Sequence, residues 1–588
     1  MTEALLGIDH SLTGRQWLLT GGDERLALSI SQRLGLPDLL GRVLAARAIE
    51  LDAVEAFLNP TLRDSLPDPF HLKDMDKAAD RLALAISSGE TIGIFGDYDV
   101  DGATSSALLS RFFRAVGAPV LVHIPDRMTE GYGPNAPALL GLQARGCGVV
   151  ITVDCGITSF EPLAAAKQAG LGVIVVDHHE AEPSLPEALA VVNPNRLDED
   201  SPHGQLAAVG VAFLLIVAVN KRLRDSGYYQ GRQAPDLMQW LDIVALGTVC
   251  DVVPLVGVNR ALVSQGLKVM ARRANPGIAA LADVSGVKEK LEAFHLGYML
   301  GPRVNAGGRV GQADLGVRLL STEDPQEAAI LAAQLDSYNK DRQEIEAAVL
   351  HAAIEQVEGL PEDTRPLVIA AGDDWHPGVI GIIAGRLKER YSRPACVIAF
   401  EGEEGKGSGR SIPGIDLGGA VIAARQAGLL TKGGGHAMAA GFTVKRSRLR
   451  DFSDFLADRL HAQMQGPLRA LLQVDAALDP AGATLDLVET LARLGPFGSG
   501  NAEPKFALIG ARISAPRIVG QGHVSCTVTG PNGGRIKAIA FRSADNDLGH
   551  ALLANDGTPL HLAGTLRIDN WQGRTSVQMF IEDAAAIR

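Results

Sequence analysis

Thr91-Ile-Gly-Ile-Phe-Gly96 runs directly into Asp97-Tyr98-Asp99-Val100-Asp101-Gly102, an apolar stretch that stops at three aspartates. The pattern recurs twice. Gly148-Val-Val-Ile-Thr-Val153 ends in Asp154-Cys155-Gly156, and Leu171-Gly-Val-Ile-Val-Val176 ends in Asp177-His178-His179. Helical patterns lie between, over Ala103 to Val116 and around Leu163 to Gln168. Continuous Val/Ile runs alternating with helices predict a parallel sheet covered on both faces. Each run ends in acids or imidazoles, so these side chains should gather at the carboxyl edge of the sheet, where open α/β folds place their sites.

Outward from this core the chain divides. Residues 1–70 read as short helices closed by Pro60 and Pro67-Asp-Pro69, and residues 71–322 hold the sheet and then mainly helices. An Ala-, Glu- and Gln-rich stretch from Asp324 to Val357 predicts one long connecting helix over 323–360, ended by Pro361 and Pro366. A second α/β unit is expected over 361–468, with strands near Leu367–Ala371 and Ala395–Phe400 and two Gly-rich loops, Gly407-Ser408-Gly409-Arg410-Ser411 and Gly433-Gly-Gly-His436. From 469 to 588 short runs separated by Gly/Asn/Asp turns read as all-β, compatible with a small barrel.

The 588 residues suit several domains, and 46% apolar with 21% charged residues excludes a mainly disordered chain. The longest apolar stretch, Val209 to Val219, is about half of the ~20 residues that span a bilayer, and the start has no signal-peptide layout, so the expectation is a cytoplasmic protein with no membrane partner. Five scattered cysteines form neither a disulfide framework nor a C-x-x-C zinc motif. The net charge of −13 argues against a protein coated in nucleic acid, although a basic groove can sit on an acidic chain.

Three carboxylates at i, i+2 and i+4 repel one another unless a cation neutralises them. Taken alone, the hexapeptide is as readily a calcium-type loop or a solvated acidic turn as a catalytic metal site. An EF-hand is disfavoured because no acid stands at the twelfth position. Asp154 and Asp177-His178-His179 at neighbouring strand ends, with Asp251 in Gly247-Thr-Val-Cys-Asp251-Val-Val-Pro254, shift the balance toward metal. Carboxylates and imidazoles without thiolate favour Mn²⁺ or Mg²⁺. At least five candidate ligands exceed the needs of one open site. Two ions ~3.5–4 Å apart, clamping phosphoryl oxygens, fit better, and hydrolysis of phosphoesters is the natural chemistry.

These motifs in order, with Gly433-Gly-Gly-His436, resemble the DHH phosphoesterase superfamily, and within it the bacterial exonucleases specific for single-stranded DNA. The resemblance runs from about residue 40 to the C-terminus. It implies a DHH domain joined by a long helix to a DHH-associated domain, then an OB-fold. It implies metal ligands Asp97, Asp99, Asp101, Asp154, His178 and Asp251, with Asp154 and Asp251 as bridges and His179 facing the scissile phosphate. Small-substrate members start the first motif with His-x-x-x-Asp-x-Asp. Here Phe95 takes that place, and Asp97 is expected to compensate.

By the same resemblance Arg309, Ser408 and Arg410 hold a terminal 5′ phosphate and Arg127 sits nearer the strand; Arg303, in Pro302-Arg303-Val-Asn305-Ala-Gly-Gly-Arg309, and His436 in its Gly-rich segment are candidate phosphate contacts on their residues alone. From Lys505 onward there are nine Lys/Arg against six Asp/Glu, a local excess suited to a strand-tracking barrel, with Trp571 as a candidate stacking platform. The expected activity is two-metal 5′→3′ release of 5′-mononucleotides from single-stranded DNA in recombination and repair, with a single-strand-binding protein and a helicase as implied partners. A small-substrate phosphodiesterase and a catalytically silent scaffold are the rival readings. Phe95 and the appended barrel speak against the first, and the complete ligand set against the second.

Overall fold

The strand Thr91–Gly96 lies inside a five-stranded sheet in the computed structural model, which describes residues 4–127, 129–359, 366–464, 470–571 and 574–587, the side chains of Trp571 and Arg574 excepted. Across the sheet the strands run Val120–His123, Thr91–Gly96, Cys147–Val153, Gly172–Val176 and Ala190–Val192, all parallel. The two outer strands, of four and three residues, are too short to stand out in the sequence. The inner three are apolar apart from Thr91 and Thr152 because both faces are covered. Ile92, Ile94, Val149, Ile151, Ile174 and Val176 face one core, and Phe95, Val150, Val173 and Val175 face the other. In chain order the strands are arranged 2-1-3-4-5, so the direction of winding reverses between the first and third, and Asp97 and Asp154 follow those two strands.

The helix after the first strand begins at Val100, three residues earlier than the apolar periodicity suggests, because the Asp99 carboxylate accepts from the amides of Asp101 and Gly102 and caps it. Further helices fill out this unit to Ser321. The helix Pro325–Glu358, capped by Asp324, belongs to two cores. Ala328, Leu331, Ala332 and Leu335 pack against the first unit, and Val349 and Ala353 against the second.

The second unit is a mixed five-stranded sheet ordered Lys432–His436, Ala439–Lys445, Glu404–Arg410, Ala395–Glu401 and Val368–Asp373, with only the last two strands parallel to each other. This corrects one expectation. The two Gly-rich segments are strands, not loops, for most of their length: Gly407 to Arg410 closes one strand and Gly433 to His436 another. Their glycines make room for neighbours. A Cβ on Gly407 would lie 2.1 Å from the Phe442 ring, and one on Gly409 would lie 2.6 Å from Leu417.

The C-terminal strands form a six-stranded sheet closed by the pairing of Lys505–Val519 with Leu560–Trp571, a small barrel. The N-terminal segment, whose role the sequence left open, packs on this barrel. Gln16–Leu19 is a strand rather than a helix and pairs in parallel with Leu471–Val474. Ile30, Leu40, Leu44 and Val54 share one core with Phe506, Leu508, Leu562 and Met579, and the Trp17 indole donates to Asp583 at 2.9 Å. The circuit closes on the first unit. Arg260, buried in the helix Gly257–Met270, donates to the carbonyls of Phe57 and Gly495 at 2.8 and 2.6 Å. Among the described residues, no helix is long and apolar enough to cross a membrane.

Candidate active site

Six carboxylates and two imidazoles converge where the winding of the first sheet reverses. Asp97, Asp99 and Asp101 follow the first strand, Asp154 the third, and Asp177, His178 and His179 the fourth. Asp251 ends the helix Leu241–Cys250. Two chain segments are strained to place them. Asp154 and Val252 have φ of +60° and +63°, and for a β-branched valine that is a marked departure from its preferred backbone. Val252 is held by its surroundings: the next turn is fastened by the Leu255 amide, which donates to Ser499 of the barrel unit at 2.7 Å.

His178 shows how the centre works. Its Nδ1 lies 3.1 Å from the Leu206 carbonyl, which fixes the proton there and leaves Nε2 as a lone pair. That lone pair faces Asp154 at 3.4 Å, Asp251 at 3.6 Å and Asp101 at 3.9 Å. Burial, then the neighbouring His179, lowers its pKa to about 4, so it stays neutral. Asp101 accepts from the amides of Ala208 and Val209 at 2.6 and 2.9 Å, taking the start of the helix Ala208–Asp225 as its support. Even so, burial and the charge of Asp99 raise its pKa to about 7, and burial with Asp101 and Asp99 raises that of Asp251 to about 9. Asp97 and Asp154 are pushed up as well, by burial first and then by Asp99.

Such a set fits divalent cations. Asp97 Oδ1, His178 Nε2 and Asp251 Oδ2 are buried and lack hydrogen-bond partners, a costly state for polar atoms unless something charged meets them. Ligand atoms lie within 4.8 Å of one another in three groups: Asp97, Asp99, Asp154; Asp101, His178, Asp251; and Asp154, His178, His179. The first two each offer three ligand atoms. Asp154 belongs to the first and lies 3.4 Å from His178 of the second. Asp251 falls in one set only.

Asp177, quoted in the motif but given no role by sequence, is the anchor of the imidazoles. It is buried, and it accepts from the amides of Ile157, His178 and His179 and lies 2.7 Å from His179 Nδ1. Burial works to raise its pKa, but the His179 hydrogen bond and charge outweigh this and lower it. His179 gains in return. Burial alone would lower its pKa, yet the bond to Asp177 raises it, so the ring is cationic over more of the pH range. Tyr132, also missed, donates to the Asp154 carbonyl at 3.4 Å and packs edge-on against His179.

Beside the acids stands a set of cations without acids. Arg127 lies over the Tyr98 ring, 5.2 Å from its centre. Arg309 donates to the Gly378 carbonyl at 2.9 Å, and Arg410 to Ser408 Oγ at 3.2 Å and the Gly409 carbonyl at 2.9 Å. Among the described residues the hydrogen bonds of Arg309 and Arg410 go to neutral groups only, and none of the three arginines forms an ion pair, although Asp97 feels the charge of Arg127 and Arg309 that of Asp99 through space. Arg309 is pulled down to about 10 by burial and then by Arg127 and Arg342, and Arg410 is lowered by burial and Arg127. Crowded cations of this kind await an anion. His376, in a turn no sequence signal flagged beyond His-Pro-Gly, accepts from the Gly378 amide at 3.0 Å and feels Arg127 as well.

Three expected contacts stand apart. Arg303 is committed elsewhere: its guanidinium pairs with Asp336 of the connecting helix at 2.8 Å and donates to the Met299 carbonyl. His436 is exposed on the edge strand, in register with Ala439, which is in register with Arg410. At two strand spacings it lies about 10 Å from Arg410. The Trp571 side chain lies outside the described residues. In the barrel, Lys505, Lys537 and Arg567 are paired with Glu582, Asp569 and Glu503, so the local basic excess is partly spent within the fold.

A parallel sheet whose acidic strand ends meet an Asp-His-His corner defines a DHH-type phosphoesterase, and residues 91–248 match the DHH family, N-terminal domain. Residues 364–462 match the DHHA1 domain, and residues 474–583 the RecJ OB domain. The single-stranded-DNA-specific exonuclease RecJ of Dickeya dadantii is 38% identical over 564 residues, covering 93% of this chain and 96% of that protein. Its counterpart from Escherichia coli is 37% identical with the same coverage. The crystal structure of RecJ in complex with Mn²⁺ from Thermus thermophilus superposes with a TM-score of 0.80 at 30% identity, over 97% of this chain and 79% of that one. The chain belongs to the RecJ family.

Proposed function

We propose that the protein is a metal-dependent exonuclease that degrades single-stranded DNA from its 5′ end to 5′-mononucleotides, acting in recombination and repair. The observation that carries this reading is the acidic cluster standing beside arginines that form no ion pair among the described residues. Relatives named as single-stranded-DNA-specific exonucleases, at 37–38% identity over 93% of the chain, support the substrate. Solved relatives carrying Mn²⁺ and Mg²⁺ support the cofactor.

Asp97, Asp99, Asp154 and Asp101, His178, Asp251 hold two divalent cations in this reading. When bound, these supply Lewis acidity toward the phosphoryl oxygens and the attacking water. His179, whose proton Asp177 helps to hold, donates to a phosphoryl oxygen as negative charge develops. Arg309, Ser408 and Arg410 grip the terminal 5′ phosphate, and Arg127 the next stretch of backbone. Anchoring that end leaves the adjoining phosphodiester over the acids, which accounts for polarity. Arg303 orients the connecting helix through Asp336 rather than touching DNA. The division into a catalytic unit, a phosphate-gripping unit and a strand-binding barrel with boundaries near 322, 360 and 468 belongs to the same proposal. So do a cytoplasmic location and work beside a helicase and a single-strand-binding protein.

The test is digestion with Mn²⁺ of a 5′-phosphorylated strand labelled at its 3′ end, beside the same strand in a duplex. A descending ladder from the single strand alone is expected. Immediate release of labelled mononucleotide would overturn the polarity. An intact strand with rapid cleavage of dinucleotides would move the assignment to a small-substrate phosphodiesterase.

A further inference from the structure

Asn259 is fully buried in the first turn of the helix Gly257–Met270, and its side-chain amide serves two separate segments of the chain. Nδ2 donates to the Gln205 carbonyl at 2.5 Å and to the Pro254 carbonyl at 3.0 Å. Both partners can only accept, so the orientation of the amide is fixed, and Oδ1 is left buried without a hydrogen-bond partner. An unmatched buried acceptor costs stability, so the two donations need a reason beyond filling the core.

The segments they join supply one. Residues 193–209 form a strap beside the ends of the first sheet's strands. The side chains of Asn193 and Asn195 donate to the carbonyls of His179 and His178 at 2.9 and 2.5 Å. The carbonyl of Leu206, the residue after Gln205, meets His178 Nδ1, and the amides of Ala208 and Val209 bind Asp101. The other segment is the turn over residues 251–255, in which Pro254 follows Asp251 and the strained Val252. Among the described residues, no other hydrogen bond joins strap and turn. Yet His178 Nε2 stands 3.6 Å from Asp251 and 3.9 Å from Asp101, ligand atoms that one ion has to meet together.

The other three acids do without this tie. The amides of Asp97 and Asp154 donate to the Val153 and Val176 carbonyls at 3.3 and 3.0 Å, which seats both on the sheet, and Asp99 caps its own helix. We propose that Asn259 is a positioning residue for one metal site of the pair, holding the strap that supports Asp101 and His178 in register with the turn that carries Asp251. Its own hydrogen bonds reach no ligand, only the backbone that places them. The proposal rests on the reading that the cluster holds two divalent cations.

The experiment uses the full chain without DNA. Mn²⁺ is titrated by calorimetry into wild type, N259A, N259D and Q265A, and the metal-free unfolding midpoint of each is recorded. N259A and N259D lose the same two donations, one with the side-chain volume and one without, so either decides alone if the other does not fold. Wild type binding fewer than two ions would sink the underlying reading, whatever the variants do. Given two ions in wild type, the Asn259 variants should bind one as wild type does and the other about 10- to 100-fold more weakly, the loss expected when a group supporting the ligands is removed. Digestion of the 3′-labelled strand should then need correspondingly more Mn²⁺ and recover once it is supplied. Q265A removes a bond of the same kind from the same helix, a side-chain amide donating to the Pro60 carbonyl at 2.6 Å, and should bind both ions like wild type. Wild-type affinity for both ions in the Asn259 variants, equal weakening of the two, or the same loss in Q265A would each overturn the assignment.

Discussion

A single methyl group at Gly102 should separate catalysis from folding. Gly102 is buried in the first turn of the helix that Asp99 caps, and a Cβ there would lie 2.4 Å from the Asp97 carbonyl oxygen and 2.6 Å from both its carbonyl carbon and its amide nitrogen. All three are backbone atoms, so no side chain can swing aside. Ordinary contact begins near 3.4 Å, and relief requires a shift of about 1 Å between Asp97 and the helix that carries Asp101. A misplacement of that size costs on the order of 100-fold in rate. Helix propensity pulls the other way, since Ala is favoured over Gly by about 1 kcal/mol inside a helix. G102A should therefore show kcat reduced about 100-fold and a raised Mn²⁺ requirement, with metal-free strand binding close to wild type and stability lowered by no more than about 1–3 kcal/mol of overpacking, partly offset by helix propensity. G385A is the control, because a Cβ on Gly385 meets nothing within 4 Å, and it should digest DNA at the wild-type rate. Wild-type kcat in G102A would refute the claim that the acidic turn is held rigidly against the helix. A collapse in stability would refute the separation of the two effects.

Asp154→Ala and Asp251→Ala should nearly abolish turnover while leaving strand binding largely intact, and parallel loss of both, measured by anisotropy and digestion, would count against the division between acids and barrel. Because Asp101 and Asp251 titrate near 7 and 9 while no cation is bound, Mn²⁺ binding between about pH 6 and 8 should release protons and weaken as pH falls. Calorimetry in buffers of different ionisation enthalpy checks this, and identical apparent enthalpies would contradict it. Asp242 offers a stability test away from the site. Burial raises its pKa from 3.8 to about 6, so the folded state holds the proton more tightly than the unfolded one. The cost of ionising it is absent below pH ~4, grows through that window and is complete above pH ~6, at about 3 kcal/mol. D242N should be more stable than wild type at about pH 8 and no more stable at about pH 4, and an equal gain at both would point to packing instead.

The sequence carried the catalytic unit well for a physical reason. Strands buried on both faces are apolar without interruption, so the acids and imidazoles that end them stand out. The connecting helix was legible through its length and its capping Asp324. What escaped depends on partners far along the chain. No spacing announces that Arg303 is taken by Asp336, or that Phe294 meets Arg567 of the barrel. The Gly-rich segments read as loops because glycine is a turn residue by habit, yet here its lack of a side chain lets Phe442 lie flat across a strand. Asp177 was in plain view, but its work of holding His179 shows only once the imidazole is seen bonded to it.

The packing of the first residues on the last strands has a consequence for synthesis. Trp17 waits for Asp583, 566 residues later. At ~5–20 residues per second that interval is about 30–110 s. Throughout it the apolar faces of Ile30, Leu40 and Leu44 have emerged without the barrel that covers them. The catalytic sheet can close long before. A growing chain thus carries a sticky leading end beside a finished core, and chaperone demand should concentrate on the first sixty residues rather than on the enzyme's centre.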